Sequence, residues 1–231
     1  MSGNLVLLYA KFPQIGKSKT RIAKDSSELF ALFVSFYLLK DTISKLSNSS
    51  FYDFMVVVND NKDAKLFEDT FDVETFVLDR DFLSKNQSGR FSSLFYLFKQ
   101  TYDKVVLVPS DVPSITSYNI LNAFNNLDEN KYVFGPEHNG GVYLIGMNNF
   151  PLNLFDSVRW STPDSLKDLV RNCLGNTKLL ELKGDINNLV DLRLFEKEIR
   201  NSSVSLYEFL VLTKFYEKFT ERSISASHAR N

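Results

Sequence analysis

The chain has 231 residues, 44% of them hydrophobic and 24% charged, values of an ordinary globular protein that exclude a disordered or collagen-like chain. Lys plus Arg (27) nearly cancels Asp plus Glu (28), so the electrostatic footprint of a protein that tracks a nucleic-acid polymer is missing and any phosphate binding must be local. The single cysteine, Cys173, rules out an internal disulfide framework and a thiolate metal cluster, fits a reducing compartment, and reads as packing.

In chain order, Asn4–Tyr9 (NLVLLY) predicts a strand buried on both faces, running into a polar, Gly-containing loop over 11–21. Asp25 and Glu28 stand at capping-box spacing ahead of Leu29, Phe33, Phe36, Ile43 and Leu46, whose recurrence predicts a long helix that residues 48–50 end. Its most apolar part, 29–39, falls short of the roughly 20 residues of a bilayer span, and Met1 to Asn4 has no basic region leading into an apolar one. No membrane span and no signal peptide is expected, and the expected location is cytoplasmic.

Residues 54–58 (FMVVV), 73–78 and Lys104–Val108 (KVVLV) predict further strands, with helices over 91–101 and 118–124. Residues 132–135 and 142–146 suit a strand pair around the turn Asn139, Gly140, Gly141. A helix near 165–173, a strand near 178–182 and a helix over about 189–200 follow. Strands spaced by helices imply right-handed parallel crossovers, hence an α/β sandwich with a mostly parallel central sheet. We read 1–200 as one domain, 201–222 as an amphipathic helix carrying Leu206, Phe209, Leu210 and Phe215, and 223–231 as a disordered tail. That helix covers the domain's own core or mediates a homodimer; composition does not separate the two.

The loop 11–21 (KFPQIGKSKTR) gathers Lys11, Lys17, Lys19 and Arg21 around Gly16 just after the first strand. Ligands of open α/β sheets sit at the carboxyl ends of strands, so these side chains would surround a phosphate-sized site; a solvated basic loop is the structural alternative. Gly16, Lys17 and Ser18 spell the second half of a P-loop, but Lys11 stands where that motif needs its first glycine, which leaves a Walker-type site a minor alternative.

Asp111 lies at the mouth of the central strand, in the segment Pro109, Ser110, Asp111, Val112, Pro113. Mg²⁺ prefers one or two carboxylates plus substrate phosphates, so Asp111 is the first candidate metal ligand, against an Asx turn leading to a helix that Ser114 caps. Asn139 to Gly141 reads as a substrate-contacting loop or simply as a tight hairpin turn. Asp185 opens the segment DINNLVD before a helix, either as a second metal ligand or as a cap. His138 and His228 are too few and too far apart for a metal pair, and no serine occupies a nucleophile elbow.

These residues together resemble the DUF2064 family (selenodomain-associated transferase 1-like proteins) of the nucleotide-diphosphosugar transferase (GT-A) superfamily, relatives of the guanylyltransferases for 2-phospholactate and molybdenum cofactor. The resemblance rests on Ala10, Lys11, Pro13, Gly16, Lys19, Thr20 and Arg21 against A-K-x-P-x-x-G-x-x-K-T-R, and on Ser110, Asp111 and Pro113 against S-D-x-P. It continues through Gly140, Gly141 and Tyr143 to Gly146, then Trp160, Ser161 and Thr162, and ends at Asp185, Asp191 and Leu192. It implies a Rossmann-like GT-A sandwich and a nucleotide gripped by Lys11, Gly16, Lys17, Lys19, Thr20, Arg21 and Ser110. It also implies Mg²⁺ or Mn²⁺ on Asp111, to which the segment reading above adds Asp185, and substrate contacts are expected from Asn139, Gly140, Gly141, Trp160 and Arg90. Asp111, Lys19 and Arg21 would carry catalysis. The chain departs from the family pattern at Pro109 for Gly, at Asn139 and Asn187 for Asp, and at Ser88, Gly89, Arg90, which stand for a longer G-D-L-G-E-R segment.

The expected function is metal-dependent glycosyl transfer from a nucleotide-diphosphosugar to a small-molecule acceptor. The alternatives are nucleotidyl transfer from a nucleoside triphosphate to a phosphorylated acceptor, releasing pyrophosphate, and nucleotide binding without catalysis at a degenerate site.

Overall fold

The computed structural model describes residues 3–150 and 153–215. Seven strands, β1 (Asn4–Tyr9), β2 (Asp53–Val58), β3 (Thr75–Val77), β4 (Lys104–Val108), β5 (Tyr132–Pro136), β6 (Val142–Met147) and β7 (Thr177–Leu179), form one sheet in the order β3-β2-β1-β4-β6-β5-β7. Helices α1 (Thr20–Asp25), α2 (Glu28–Leu46), α3 (Asn61–Phe71), α4 (Arg80–Ser84) and α5 (Gln87–Phe98) occupy the first half. They are followed by α6 (Ser117–Asn126), α7 (Ser165–Asn172), α8 (Leu189–Leu194), α9 (Glu196–Ser202) and α10 (Val204–Leu212).

The sheet is mostly parallel, as the alternation of strands and helices requires. β6 alone breaks the pattern, running antiparallel to both β4 and β5, because residues 137–141 are too few for a crossover and only a hairpin can join β5 to β6. The central strands are apolar throughout because both faces are covered. Val6, Leu8, Val106 and Val108 pack on one side with Leu39 and Ile43 of α2, Phe67 of α3 and Phe124 of α6. Leu5, Leu7, Val105 and Leu107 pack on the other with Phe91, Leu94 and Phe95 of α5, and with Phe155 and Leu169. A third cluster, built from Ile22, Ala31, Val34, Leu38, Leu192, Ile199, Leu206 and Leu210, joins α1, α2, α8, α9 and α10.

Several boundaries differ from the sequence expectation, each for a local reason. The long helix is capped by Ser27, whose hydroxyl accepts from Phe30 N, and not by Asp25. The fifth helix begins at Gln87 because Asn86 accepts from Gly89 N. Thr116, in a capping box with Asn119, starts α6 in place of Ser114. The helix expected over 189–200 is two helices that meet at Phe195. The strand near 178–182 is only three residues long.

The last described helix ends at Leu212, and the expected positions 216–222, like the tail 223–231, lie outside the described residues. Its faces are not cleanly divided: Leu206 and Leu210 are buried, whereas Val204, Val211 and Leu212 are exposed. It packs along α2, where the Asp41 carboxylate accepts from the N–H groups of Ser205 and Leu206. The N-terminal cap of α10 is therefore supplied by another helix, which ties its start to the domain.

Candidate active site

The segment 10–21 leaves β1 and folds back on itself. Gln14 O accepts from Lys17 N and Ser18 N, the Ser18 hydroxyl accepts from Gln14 N, and Gly16 takes a positive φ of 73°. Phe12 anchors the loop, its N–H donating to Asp63 Oδ2 and its ring packing edge-on against Phe67. Lys19 also lies in the left-handed region, at φ 43°, as the residue before α1. The loop thus delivers Lys19 inward: Nζ donates to Ile186 O at 2.6 Å and to Asp111 Oδ2 at 3.3 Å.

Asp111 follows β4 directly, and its backbone is fixed from three sides. Ile186 N donates to Asp111 O, Pro113 O accepts from both Lys45 Nζ and Ser203 Oγ, and Ser114 O accepts from Lys183 Nζ. Asp185, buried beside it, accepts from two amides: Asn139 Nδ2 at 2.9 Å on Oδ1, and Asn187 Nδ2 on Oδ2. Burial, followed by repulsion from Asp111, pushes the Asp185 carboxyl above its usual range. Asp185 is not a helix cap: Asn188 caps α8, with Asp191 accepting from the N–H groups of Asn187 and Asn188. Asn139 is both a turn residue and a tie, since its Oδ1 also accepts from Gly141 N.

These groups surround one cavity of about 680 Å³ at the carboxyl ends of the strands. Arg21, Asp111, Asn139, Gly141, Asp185 and Trp160 line it, and Lys19 reaches it through its pair with Asp111. Lys11, Gly16, Lys17 and Thr20 are exposed and outside the lining. Ser110 and Gly140 are neighbours of lining residues. Arg90 turns away from the cavity, donating to Leu83 O and Lys85 O between α4 and α5.

Glu137, unremarked in the sequence, also lines the cavity. Burial, then the charges of Asp185 and Asp111, push its carboxyl up to about 8. No local motif marks it; only the closure of β5 and β6 over Asp111 brings it there. The far wall is aromatic. Trp160 meets Phe91 edge-on at 5.1 Å, Phe91 meets Tyr9 at 5.6 Å, and Trp160 Nε1 donates to Ser88 Oγ at 2.8 Å. The loop carrying Trp160 is tied to α7 by the buried Asp168 carboxylate, which accepts from Arg159 N, Nε and Nη2. That fork holds the Asp168 carboxyl well below the usual carboxylate range.

Among the described residues no group of three or more His, Cys, Asp or Glu is arranged to hold a metal ion. One Asp111 oxygen is paired with Lys19, and both Asp185 oxygens are held by amides. The arrangement fits an ion that takes one carboxylate from Asp111 and most of its remaining oxygens from substrate phosphate and water, as Mg²⁺ does.

A parallel sheet with its charged cavity at the strand ends and one antiparallel insertion is the α/β fold shared by nucleotide-diphosphosugar transferases and nucleotidyltransferases. Residues 42–162, just over half of the chain, match the family described as uncharacterized protein conserved in bacteria (DUF2064), and the chain belongs to that family. It is similar in fold to a protein of Desulfovibrio desulfuricans G20 provisionally assigned as a nucleotide-diphospho-sugar transferase. There the identity is 24%, with 93% of this chain and 96% of that one covered at a TM-score of 0.83. It is more distantly similar to the 4-diphosphocytidyl-2C-methyl-D-erythritol synthase of Anaerococcus prevotii DSM 20548, with 10% identity, 86% and 96% coverage and a TM-score of 0.55. CMP:2-keto-3-deoxy-manno-octonic acid synthetase complexed with CTP is a further match, with 10% identity, 86% and 98% coverage and a TM-score of 0.52. No curated protein sequence matches the chain. Among the described residues no helix is long and apolar enough to cross a membrane.

Proposed function

We propose that this protein is a metal-dependent transferase that binds a nucleotide-diphosphosugar at the Lys19–Asp111 end of its cavity and passes the sugar to a small-molecule acceptor. One observation carries the reading: a basic side chain from the loop after β1 and a carboxylate from the end of β4 meet at 3.3 Å on the rim of a single cavity. The fold shared with the Desulfovibrio protein supports it.

Mg²⁺ or Mn²⁺ on Asp111 would supply charge neutralisation for the diphosphate. Lys19 and Arg21 place positive charge where the leaving diphosphate gains negative charge, an arrangement that favours the transition state over the bound substrate. Asn139 and Asn187 hold Asp185 as a fixed acceptor facing the cavity. Glu137 lines the same cavity and would serve, when ionised, as the base that accepts the acceptor's hydroxyl proton. The acceptor oxygen then bonds to the anomeric carbon, and the bond from that carbon to the diphosphate oxygen breaks.

A second reading is nucleotidyl transfer, which the folds of the CTP-bound synthetase and the erythritol synthase favour. The products separate the two: a nucleoside diphosphate without pyrophosphate means glycosyl transfer, and pyrophosphate means nucleotidyl transfer. The first experiment is a thermal-shift panel of nucleotides and nucleotide sugars with Mg²⁺, Mn²⁺ or chelator, since a ligand of the folded state raises its stability with concentration over Kd. A metal-dependent shift supports the site, binding without any product supports a non-catalytic nucleotide-binding protein, and no shift with any nucleotide removes the proposal.

A further inference from the structure

The cavity has two chemically different ends, set on opposite faces of the sheet. Arg21 and Lys19 belong to the loop and helix that pack through Ile22 against α2 and α8. Tyr9, Phe91 and Trp160 belong to the core on the other face, with α5 and Phe155. Asp111, Glu137 and Asp185 line the same cavity, with Asp111 at the Lys19 end. Among the described residues lining the cavity, no Lys or Arg lies at the aromatic end; the one lining guanidinium is Arg21.

We propose that the aromatic end is the acceptor subsite, and that it takes an uncharged acceptor whose bound part is planar or apolar and carries a hydroxyl directed at the carboxylates. The inference rests on the reading that the donor's diphosphate occupies the Lys19 end. With that end filled, the acceptor meets Trp160, Phe91 and Tyr9. A phosphate or carboxylate there would find no lysine or arginine among the described lining residues at that end, in a cavity that also carries Asp111 and Asp185, which costs binding energy. A flat apolar group instead finds the edge and face of rings already fixed in position. Trp160 is held by Ser88 through its Nε1 and by the Arg159–Asp168 fork behind it, so little ordering is needed on binding.

The chain contains one tryptophan, so indole fluorescence reports on Trp160, which lines this end of the cavity and also a smaller neighbouring one with Ser88 and Val158; Tyr9→Leu, which alters only the larger cavity, separates the two. The experiment titrates the full chain with 4-nitrobenzyl alcohol and, separately, with 4-nitrobenzyl phosphate, both quenchers of indole emission, and repeats the titrations with uridine and cytidine as competitors. The expected result is saturable quenching by the alcohol, at least about tenfold weaker for the phosphate ester, and unaffected by nucleosides, with Tyr9→Leu weakening the alcohol roughly tenfold. Equal or tighter binding of the phosphate ester overturns the proposal in favour of a phosphorylated acceptor. Displacement by a nucleoside overturns it in favour of a base-stacking site, and purely linear, non-saturating quenching overturns it outright. Because the nucleotide thermal shift is read separately, loss of that shift with saturable quenching intact sinks the donor assignment and leaves the aromatic subsite standing. Should Tyr9→Leu fail to fold, Ser88→Ala, which frees the indole without touching the core, serves as the second variant and is expected to weaken the alcohol several-fold.

Discussion

Lys19 Nζ sits 3.3 Å from Asp111 Oδ2, across 92 positions of sequence, with the two side chains only 15% and 30% exposed. The pair joins the loop after β1 to the loop after β4, neighbouring parallel strands in the sheet. The same ammonium also donates to Ile186 O, so Lys19 reinforces a three-way junction in which Ile186 N donates to Asp111 O.

Removing either partner should therefore act on ligand binding more than on folding. Asp111→Ala is expected to abolish any metal-dependent nucleotide shift, and Lys19→Ala to lower kcat/KM about 100-fold, the scale for losing one preorganised charge at a reacting group. Lys19→Arg should not restore activity, since a planar fork cannot reproduce two bonds from one compact ammonium. An unchanged shift in Asp111→Ala, measured by differential scanning fluorimetry, would take Asp111 out of the site.

Asn139 and Asn187 each donate to Asp185, one amide per carboxylate oxygen. Converting both to Asp brings two carboxylates against the buried Asp185 from an exposed and a half-buried position. The double variant should melt at a lower temperature than the parent in chelator and regain most of the loss in millimolar Mg²⁺ or Mn²⁺, because a cation then binds the folded state selectively. A melting temperature indifferent to metal in the double variant would show that Asp185 is not positioned to share an ion.

Gly140 has φ 85°, and a Cβ there would run into the backbone carbonyl of Pro163. Gly140→Ala should cost about 3 kcal/mol from left-handed strain and the clash together, roughly a 10 °C fall in Tm for a chain of this size. It should also loosen the Trp160 loop, which rests on this turn through the bond from Leu166 N to Gly140 O. Trp160 emission shifted to the red in the folded variant is the second readout.

Lys45 is lowered from 10.5 to about 8, chiefly by burial, with Asp41 opposing the shift. Between those two pH values the unfolded chain holds a proton on Lys45 that the folded chain has released. Stability from this group therefore rises with pH across that window, and the cost of burying the ammonium is full below it. Lys45→Met should remove the rise, which amounts to at most about 3 kcal/mol. Urea unfolding of both proteins at several pH values across the window checks this, and parallel stability curves would contradict it.

The element pattern was legible in the sequence because buried parallel strands are continuous apolar runs and the helices between them repeat at their own period. The loop 11–21 and Asp111 were legible as candidates because both follow such strands, where this architecture puts its ligands. Cap positions misled where two polar residues competed: Ser27 takes the cap that Asp25 and Glu28 suggested, since its backbone is extended and its hydroxyl reaches Phe30 N. The start of α10 was illegible for another reason, as its capping carboxylate, Asp41, comes from a helix 164 residues earlier.

What the sequence determined by itself was local: which segments are strands, which are helices, and which loops carry charge, because period and composition are properties of neighbouring residues. Tertiary structure alone decided that Glu137 lines the cavity with Asp111, and that the amides at 139 and 187 converge on Asp185. Those outcomes depend on directions in space between strands far apart in the chain, and no spacing within one segment encodes them.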